Sequence, residues 1–403
     1  MMHNVNPKKK APAVALLMTM TMLGVFCLDV LLPSFPALAR HFRTTPEDIA
    51  LSISLFAVGI SLSQLFIGPL SDAMGRKRLL LAGLAVSIVG AAGCVLSSEY
   101  AWFLTFRVVQ ALGCGCFILA QALVQDLFEG VERDRLRILM VTSTGIFISV
   151  SPLAGAVLQE LLDWPGSFMV FAALAAGVFL CACFSLEKNH GGAMGGQPNF
   201  IQSYRRVYSH FEFVSYWLIS AFAFACHFSF IVISPLIFME RLQLSAHDFS
   251  LTLLIYGVAY LVGGAIATLL SRRIGSDYQI IIGLSLILLS GLSMLYISGR
   301  FALSPSTVLI PMIICTAGTT IARPAATSRA MSFFPNNAGT SSSAGSTLVF
   351  ICGGLISALV SLSHASVHDT LGYSFIALSV LALALSYRIN SRSKSTVLRP
   401  DSQ

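Results

Sequence analysis

Long apolar runs alternate with short polar segments along the whole chain. An α-helix needs about 20 apolar residues to cross a bilayer. Twelve runs approach or exceed that length, at residues 12–37, 48–70, 78–97, 102–126, 138–160, 166–186, 212–238, 249–271, 278–298, 304–331, 339–362 and 370–389. Lipid offers the backbone no hydrogen-bond partners, so each run has to satisfy its own within a helix. The pattern predicts an all-α integral membrane protein with twelve transmembrane helices.

The longest polar segment lies between the sixth and seventh runs and divides the chain into two halves. We predict an N-terminal six-helix bundle over residues 1–186, a linker over 187–211, and a C-terminal six-helix bundle with a short tail over 212–403. The linker begins with a glycine-rich, flexible stretch at 191–196. It continues into residues 200–208, which we predict to form a short helix on the membrane surface.

A weak internal repeat relates the two halves. Residues 71–75 read Ser-Asp-Ala-Met-Gly after the second run, and residues 271–275 read Ser-Arg-Arg-Ile-Gly after the eighth, an offset of 200 residues. Two matching positions are a faint signal by themselves. Two six-helix halves related by an axis along the membrane normal are nevertheless a known plan of transporters.

Composition narrows the class of protein. Of the 403 residues, 56% are hydrophobic and 11% are charged, whereas soluble domains carry about 25% charged residues. The mean hydropathy is +0.80. These values exclude a cytosolic enzyme, a secreted disulfide scaffold and a disordered chain. All nine cysteines fall inside apolar runs, where they act as small apolar side chains, which argues against a zinc site or disulfide framework.

The basic residues lie mainly on one side of the predicted helices. Nineteen of the 25 alternate onto the side of both termini: Lys8, Lys9, Lys10, Arg76, Lys77, Arg78, Arg133, Arg135, Arg137, Lys188, Arg205, Arg206, Arg272, Arg273, Arg329, Arg388, Arg392, Lys394 and Arg399. Only Arg40, Arg43, Arg241 and Arg300 fall on the other side. Because cytoplasmic loops are rich in Lys and Arg, both termini are predicted to be cytoplasmic. The net charge of +7 is therefore a topology signal and not a nucleic-acid footprint.

The loop after the second run carries the strongest motif. Gly68 allows close helix approach, and Gly75 permits a tight turn. Asp72 is placed to accept hydrogen bonds at a helix end or to pair with a cation. Arg76 and Lys77 begin a basic triplet that faces the anionic inner leaflet. The alternative is a simple positively charged turn.

This loop resembles the signature loop of the major facilitator superfamily, and the chain is most similar to its Bcr/CflA group of drug:proton antiporters. The first run ends in an acidic, double-proline stretch at residues 28–39, and the fourth carries the motif of residues 107–113. In the fifth run, Ser151, Pro152 and Gly155 stand where that group has its antiporter motif. The resemblance covers most of the first half by motif and the second mainly by layout.

The resemblance implies a major facilitator fold and proton-driven export of amphipathic drugs across the bacterial inner membrane by alternating access. The sequence departs from the family pattern at several positions. Ala73 replaces a basic residue, Ser151 and Ala156 replace glycines, and Trp164-Pro165 replaces a tryptophan-arginine pair. These departures bear on the gate and on the antiporter-motif helix.

Two charged residues inside the first half are the candidates for proton coupling. An ionised carboxylate is costly in lipid, so Asp29 in the first run is suited to take up and release a proton. Arg107, in the fourth run, falls at a similar depth. It is expected either to pair with Asp29 or to hold a chain carbonyl. The alternatives are an acid that only caps the outer mouth and an arginine that only joins helices.

A polar stripe is expected to line the substrate cavity. On one continuous helix, Arg107, Cys114, Gln121 and Gln125 share a face, and Gln110 lies beside them. Polar groups inside lipid should face the bundle interior.

Two further polar residues lie in the second half. His227, in the seventh run, is a cavity candidate or a neutral packing residue. Arg323, in the tenth, either lines the inner vestibule or extends its long side chain to the surface.

The absence of several sequence motifs excludes further classes of function. The chain has no Walker loop, no His-Glu-x-x-His and no Gly-x-Ser-x-Gly. We expect a protein that is not an enzyme and uses no cofactor or metal, with the proton gradient as energy source. Its partners should be a small-molecule substrate, protons and membrane lipid, without nucleic acid, and the chain should be a monomer. The alternatives are a dedicated transporter of one metabolite, such as a nucleoside, amino acid derivative or siderophore, and a ligand-binding membrane sensor.

Overall fold

The computed structural model describes residues 7–128, 130–186, 200–334, 338–363 and 367–397. Fifteen α-helices lie within these ranges: α1 (Pro7–Asp29), α2 (Phe35–Phe42), α3 (Pro46–Met74), α4 (Arg76–Leu96), α5 (Tyr100–Cys114), α6 (Leu119–Leu127), α7 (Gly130–Leu162), α8 (Pro165–Ser185), α9 (Phe200–Tyr208), α10 (Phe211–Pro235), α11 (Ala246–Ser271), α12 (Ser276–Ser298), α13 (Pro305–Met331), α14 (Ala338–Ser361) and α15 (Val367–Val397). The described part of the chain is therefore all-α, as predicted.

Twelve helical stretches among the described residues are long and apolar enough to cross a membrane. Their bounds agree with the predicted runs to within about five residues, as the first span (Ala11–Phe42) and the last (Asp369–Ser391) illustrate. The agreement has a simple cause, since an apolar run of this length has only the helix available to satisfy its backbone in lipid. The predicted twelve-helix architecture is confirmed.

Three of the spans contain a break in their α-helical geometry. A 3-10 turn (Leu32–Ser34) separates α1 from α2, and another (Gly115–Ile118) separates α5 from α6. In the seventh span a π-helical segment (Leu236–Arg241) continues α10 beyond Pro235. Such breaks change the register of the side chains that follow them.

Capping residues fix where two of the spans begin. Thr45 precedes α3, and its hydroxyl accepts a hydrogen bond from the Asp48 backbone at 3.2 Å. Ser304 precedes α13 and receives the corresponding bond from the Thr307 backbone at 3.3 Å. A proline at the first helical position follows each cap, where its missing N–H leaves no hydrogen bond unmade.

By its internal contacts the chain divides into two compact units. The first unit comprises Met1–Gln197 and Ser234–Gly257, and the second comprises Pro198–Ile233 and Val258–Gln403. Within the first unit, Ser250 donates a hydrogen bond to the Pro152 carbonyl oxygen at 3.0 Å. The sequence-based division into bundles of residues 1–186 and 212–403 stays a prediction.

In each unit, glycines bring one pair of neighbouring helices close together. Between α4 and α5, a methyl group on Gly113 would lie 2.6 Å from the Gly83 carbonyl oxygen. Between α12 and α13, a methyl group on Gly318 would lie 2.5 Å from the Gly283 carbonyl oxygen. Small residues allow helix backbones to approach in this way. The two glycine contacts support the weak internal repeat, because Gly83 and Gly283 are separated by the same offset of 200 residues.

The linker helix α9 forms where it was predicted. Its Tyr204 and Val207 are buried, while Arg205 and Arg206 are exposed. The Tyr204 hydroxyl donates to the Ser343 hydroxyl oxygen at 3.0 Å, and the Tyr208 hydroxyl donates to the Ala344 carbonyl oxygen at 3.0 Å. Burial raises the pKa of Tyr208 to about 12, so this hydroxyl stays a donor. The helix therefore packs its tyrosine face on α14. The glycine-rich stretch at 191–196 lies outside the described residues.

Candidate functional site

Asp29 lies at the end of α1, in contact with α7. Its half-buried carboxylate accepts a hydrogen bond of 3.4 Å from the Ser151 hydroxyl. One turn further along α7, a methyl group on Gly155 would lie 2.2 Å from the Val30 carbonyl oxygen. This close approach holds the antiporter-motif helix directly against the chain beside Asp29. Ser151 is one of the departures from the family pattern, and a glycine at that position has no hydroxyl to donate.

Arg107 of α5 is buried among neutral groups. It is 1% exposed, and its Nη1 donates to Gln110 Oε1 at 2.8 Å. Both terminal nitrogens donate to the Cys27 carbonyl oxygen at 3.4 Å. Asp29 and Arg107, which are both described, form no ion pair. Of the two expected roles, the structure shows the arginine holding a chain carbonyl, two residues before Asp29.

The rings around Arg107 supply part of its stabilisation. The guanidinium carbon lies 4.1 Å from the centre of the Phe56 ring and 5.6 Å from that of Phe168. A desolvated cation–π contact contributes about 2 kcal/mol, whereas burying a charge costs several kcal/mol even after relaxation. The buried Nε has no hydrogen-bond partner among the described residues. The first unit thus holds the charged Arg107 with neutral partners that accept only part of its possible hydrogen bonds.

The predicted polar stripe along the fourth span can be followed in the described side chains as far as Cys114. Gln110 is buried against Arg107, and Cys114 lies against Cys27 of α1. Beyond Cys114 the chain passes through the 3-10 turn (Gly115–Ile118), which has three residues per turn instead of 3.6. Four such residues rotate the following helix by about 80° relative to a continuous α-helix. The extension of the stripe to Gln121 and Gln125 stays a prediction. The side chains of Gln121 and Gln125 lie outside the described residues.

The signature loop ties three helix ends together. Gly75 has a φ of 91°, a conformation that favours glycine, and makes the turn from α3 to α4. Arg76 donates to Ser71 Oγ at 2.5 Å and pairs with Asp126 Oδ2 at 3.0 Å. Lys77 donates to two carbonyl oxygens at the end of α8, those of Cys183 and Leu186, each at 2.6 Å. Gly68 and Asp72 lie in α3, but the contacts of Gly68 and of the Asp72 side chain lie outside the described part of the structure.

A second ion pair occupies the corresponding place in the second unit. Asp277, at the start of α12, pairs with Arg329 near the end of α13. The Arg329 Nη2 lies 2.5 Å and its Nε 3.2 Å from the two carboxylate oxygens, and the Tyr216 hydroxyl donates to Asp277 at 3.3 Å. Sequence reasoning missed this pair. Its signal was the internal repeat, which places Asp277 one offset from Lys77, next to the basic residues of the signature loop.

His227 and Arg323 come near each other in the second unit. The His227 ring is buried, and its centre lies 5.5 Å from that of the Tyr260 ring. The Arg323 guanidinium lies over the Phe224 ring at 4.7 Å and within electrostatic range of His227 and Tyr260. Arg323 is half-buried, and its buried Nε has no hydrogen-bond partner among the described residues.

Twelve membrane-length helices with charged side chains held between them are the architecture of a secondary transporter. Residues 14–358 match the Major Facilitator Superfamily, and the chain belongs to it. Two relatives carry resistance names. The chain is 23% identical to a bicyclomycin resistance protein homolog of Haemophilus influenzae over 93% of this chain and 95% of the relative. It is 23% identical to multidrug resistance protein MdtL of Escherichia coli over 78% and 80% of the two chains.

A solved structure shares the fold. A bacterial homologue of the human lysosomal transporter Spinster, in an inward-facing and unoccupied conformation, superposes with a TM-score of 0.71 at 15% identity. The alignment covers 99% of this chain and 100% of that one. The similarity extends over both halves and supports the major facilitator fold as a whole.

Proposed function

We propose that this transporter exports drugs or other small amphipathic molecules across the bacterial inner membrane, driven by proton uptake at Asp29. The observation that carries the proposal is the position of Asp29. Its carboxylate has a serine hydroxyl and no cation as its described partner, inside a span of the first unit. A carboxylate held in low dielectric without a counter-charge has a strong tendency to bind a proton. The resistance names of the relatives agree with export of drugs.

Arg107 acts in this proposal as a positioning residue. It holds the Cys27 carbonyl oxygen and so fixes the end of the helix that carries Asp29. Its partner Gln110 holds the guanidinium in turn, and Cys114 packs against the same segment of α1. These contacts hold the segment of α1 that carries Asp29, and so they fix the position of the carboxylate that binds the coupling proton.

The signature loop is the proposed gate. Arg76 and Lys77 connect the end of α3, the end of α6 and the end of α8. Conformational changes in proteins repack salt bridges of this kind where moving elements meet. Gly68 and Asp72 belong to the gate by resemblance, and Gly75 by its observed turn.

The test measures proton release upon substrate binding to the purified protein in detergent, across a range of pH. Chloramphenicol, ethidium and 2-naphthoate serve as neutral, cationic and anionic probes. Asp29→Asn keeps the size of the side chain and removes its titration, so we expect substrate-induced proton release to disappear. Glu160→Gln, an exposed acid of the same unit, is the matched control and should release protons as the parent does.

Everted vesicles complete the test. With a proton gradient the parent should accumulate at least one probe, and Asp29→Asn should only equilibrate it. Equal proton release by Asp29→Asn and the parent would remove Asp29 from coupling. Accumulation of one probe alone would favour a dedicated transporter, and binding without accumulation would favour a sensor.

We also propose that both termini and residues 187–211 are cytoplasmic. The support is the distribution of basic residues, nineteen on that side against four on the other. A cysteine placed at Gly192, in a background without reactive cysteines, should resist impermeant thiol reagents in intact cells. Rapid labelling from outside would reverse the topology.

A further inference from the structure

Arg323 is the one half-buried cation of the second unit's described spans for which the structure shows no acidic partner. Its guanidinium lies over the Phe224 ring at 4.7 Å, and its buried Nε lacks a hydrogen-bond partner among the described residues. The described acids of this unit are Glu212, Asp277 and Asp369, each in the first turn of its helix. Arg323 lies well inside α13 and forms an ion pair with none of them.

Aromatic rings and two further polar side chains surround this cation. Phe224 stacks on Phe228 with ring centres 5.2 Å apart and meets Phe350 edge-on at 5.3 Å. The His227 and Tyr260 rings lie beside each other, with centres 5.5 Å apart, and both groups lie within electrostatic range of the guanidinium. One location thus combines a cation, two groups that can donate hydrogen bonds and a wall of aromatic rings.

We propose that Arg323, with Phe224, His227 and Tyr260, binds the anionic group of an amphipathic organic substrate such as an aromatic carboxylate. The inference rests on the proposed transport function and names a substrate class for it. The residues of this anion cluster all belong to the second unit.

Each member of the anion cluster suits part of such a ligand. A guanidinium presents its N–H groups in a planar fork that matches the two oxygens of a carboxylate. The His227 ring and the Tyr260 hydroxyl add hydrogen bonds to the same oxygens. Phe224 and its neighbours pack against the apolar body. The ligand also brings the negative charge that the described part of this unit does not place beside Arg323.

The test compares equilibrium binding of 2-naphthoate and its neutral amide, 2-naphthamide, to the purified full chain in detergent. The two probes share size and shape and differ in charge. The parent should prefer the carboxylate. Because hydrogen bonds to charged groups contribute about 1.5–3 kcal/mol, Arg323→Gln should weaken 2-naphthoate binding about tenfold or more. Binding of 2-naphthamide should change by less than about twofold.

Two further variants test whether the effect on binding comes from the charge and geometry of Arg323. Arg323→Lys keeps the charge and loses the fork, so it should retain a preference for the carboxylate at reduced affinity. Arg300→Gln removes an exposed cation of the same unit and should bind both probes as the parent does. Equal affinity of the parent for the two probes, or an unchanged preference in Arg323→Gln, overturns the proposal. The parent comparison decides the matter even if Arg323→Gln cannot be purified folded.

The outcome is independent of coupling, since binding is measured without a proton gradient. A parent that prefers 2-naphthoate through Arg323 but releases no protons with any probe would refute the proposed coupling and keep the anion cluster. A parent that releases protons with chloramphenicol but shows no preference for charge would refute the anion cluster and keep the proposed function.

Discussion

The two units build a similar scaffold but surround the arginines inside their spans differently. In both, a pair of neighbouring helices meets through glycines, Gly83 with Gly113 and Gly283 with Gly318. In both, an ion pair joins the start of one of these helices to the end of the span that packs on it. The first unit surrounds its buried arginine with hydrogen-bond acceptors and rings, whereas the second surrounds its arginine mainly with rings.

Along its helix, each arginine lies on a different side of its own unit's glycine contact. Arg107 precedes Gly113 by roughly 9 Å of helix rise, and Arg323 follows Gly318 by roughly 8 Å. The two units thus share the glycine contact between neighbouring helices but place their arginines at different positions. This difference indicates a division of labour, in which the first unit holds a fixed charge beside Asp29 and the second keeps a charge available to a ligand.

The arginine comparison predicts the largest difference in stability. Arg107→Met should destabilise the protein by about 1–3 kcal/mol, because it leaves the buried Gln110 oxygen unsatisfied. Arg323→Met should be neutral or stabilising, by up to about 2.5 kcal/mol, because it removes a charge that the described residues leave unpaired. Unfolding in mixed detergent micelles measures both free energies. If both substitutions destabilise equally, Arg323 is structural and the division of labour fails.

The glycine contacts predict a smaller effect that is shared by the two units. Gly113→Ala and Gly318→Ala should each lower the free energy of unfolding by about 1–3 kcal/mol, because the added methyl group meets backbone that cannot move aside. Gly177→Ala and Gly264→Ala, where the methyl group meets nothing within 4 Å, are the matched controls. They should be neutral or stabilising by about 0.5–1 kcal/mol. Tolerance at only one of the two contacts would show that the scaffolds are not equivalent.

The smallest predicted effect concerns the two ion pairs. The acid and the base are exchanged between units, since Arg76 starts α4 in the first and Asp277 starts α12 in the second. Double-mutant cycles with Gln and Asn should give coupling energies of about 0.2–1 kcal/mol for such exposed pairs. The Asp277–Arg329 coupling should be the larger, because two nitrogens contact the carboxylate. A larger coupling for Arg76–Asp126 would contradict this ranking.

The fold was predictable in detail, and the site only in part. Span number and bounds followed from hydropathy, because lipid leaves a long apolar run no alternative to the helix. Asp29 and Arg107 stood out because charges inside spans are rare. The 3-10 turn after Cys114 rotates the helix that follows it, and periodicity in the sequence carries no sign of such a turn. The Asp277–Arg329 pair was missed because periodicity within a helix does not tell which helix lies beside it.

The amino-acid sequence by itself determined that this protein has twelve membrane-spanning helices and which few polar residues enter the spans. Those properties depend on each segment's own transfer into lipid, which is a local quantity. Only the tertiary structure decided that Arg107 holds the Cys27 carbonyl and not Asp29, that Ser151 is the hydroxyl facing Asp29, and that Arg323 lies over Phe224. These contacts depend on how closely two helix backbones approach and how each is rotated. The approach and the rotation of two helices are both set by glycines and by breaks in helical geometry that lie far apart in the sequence.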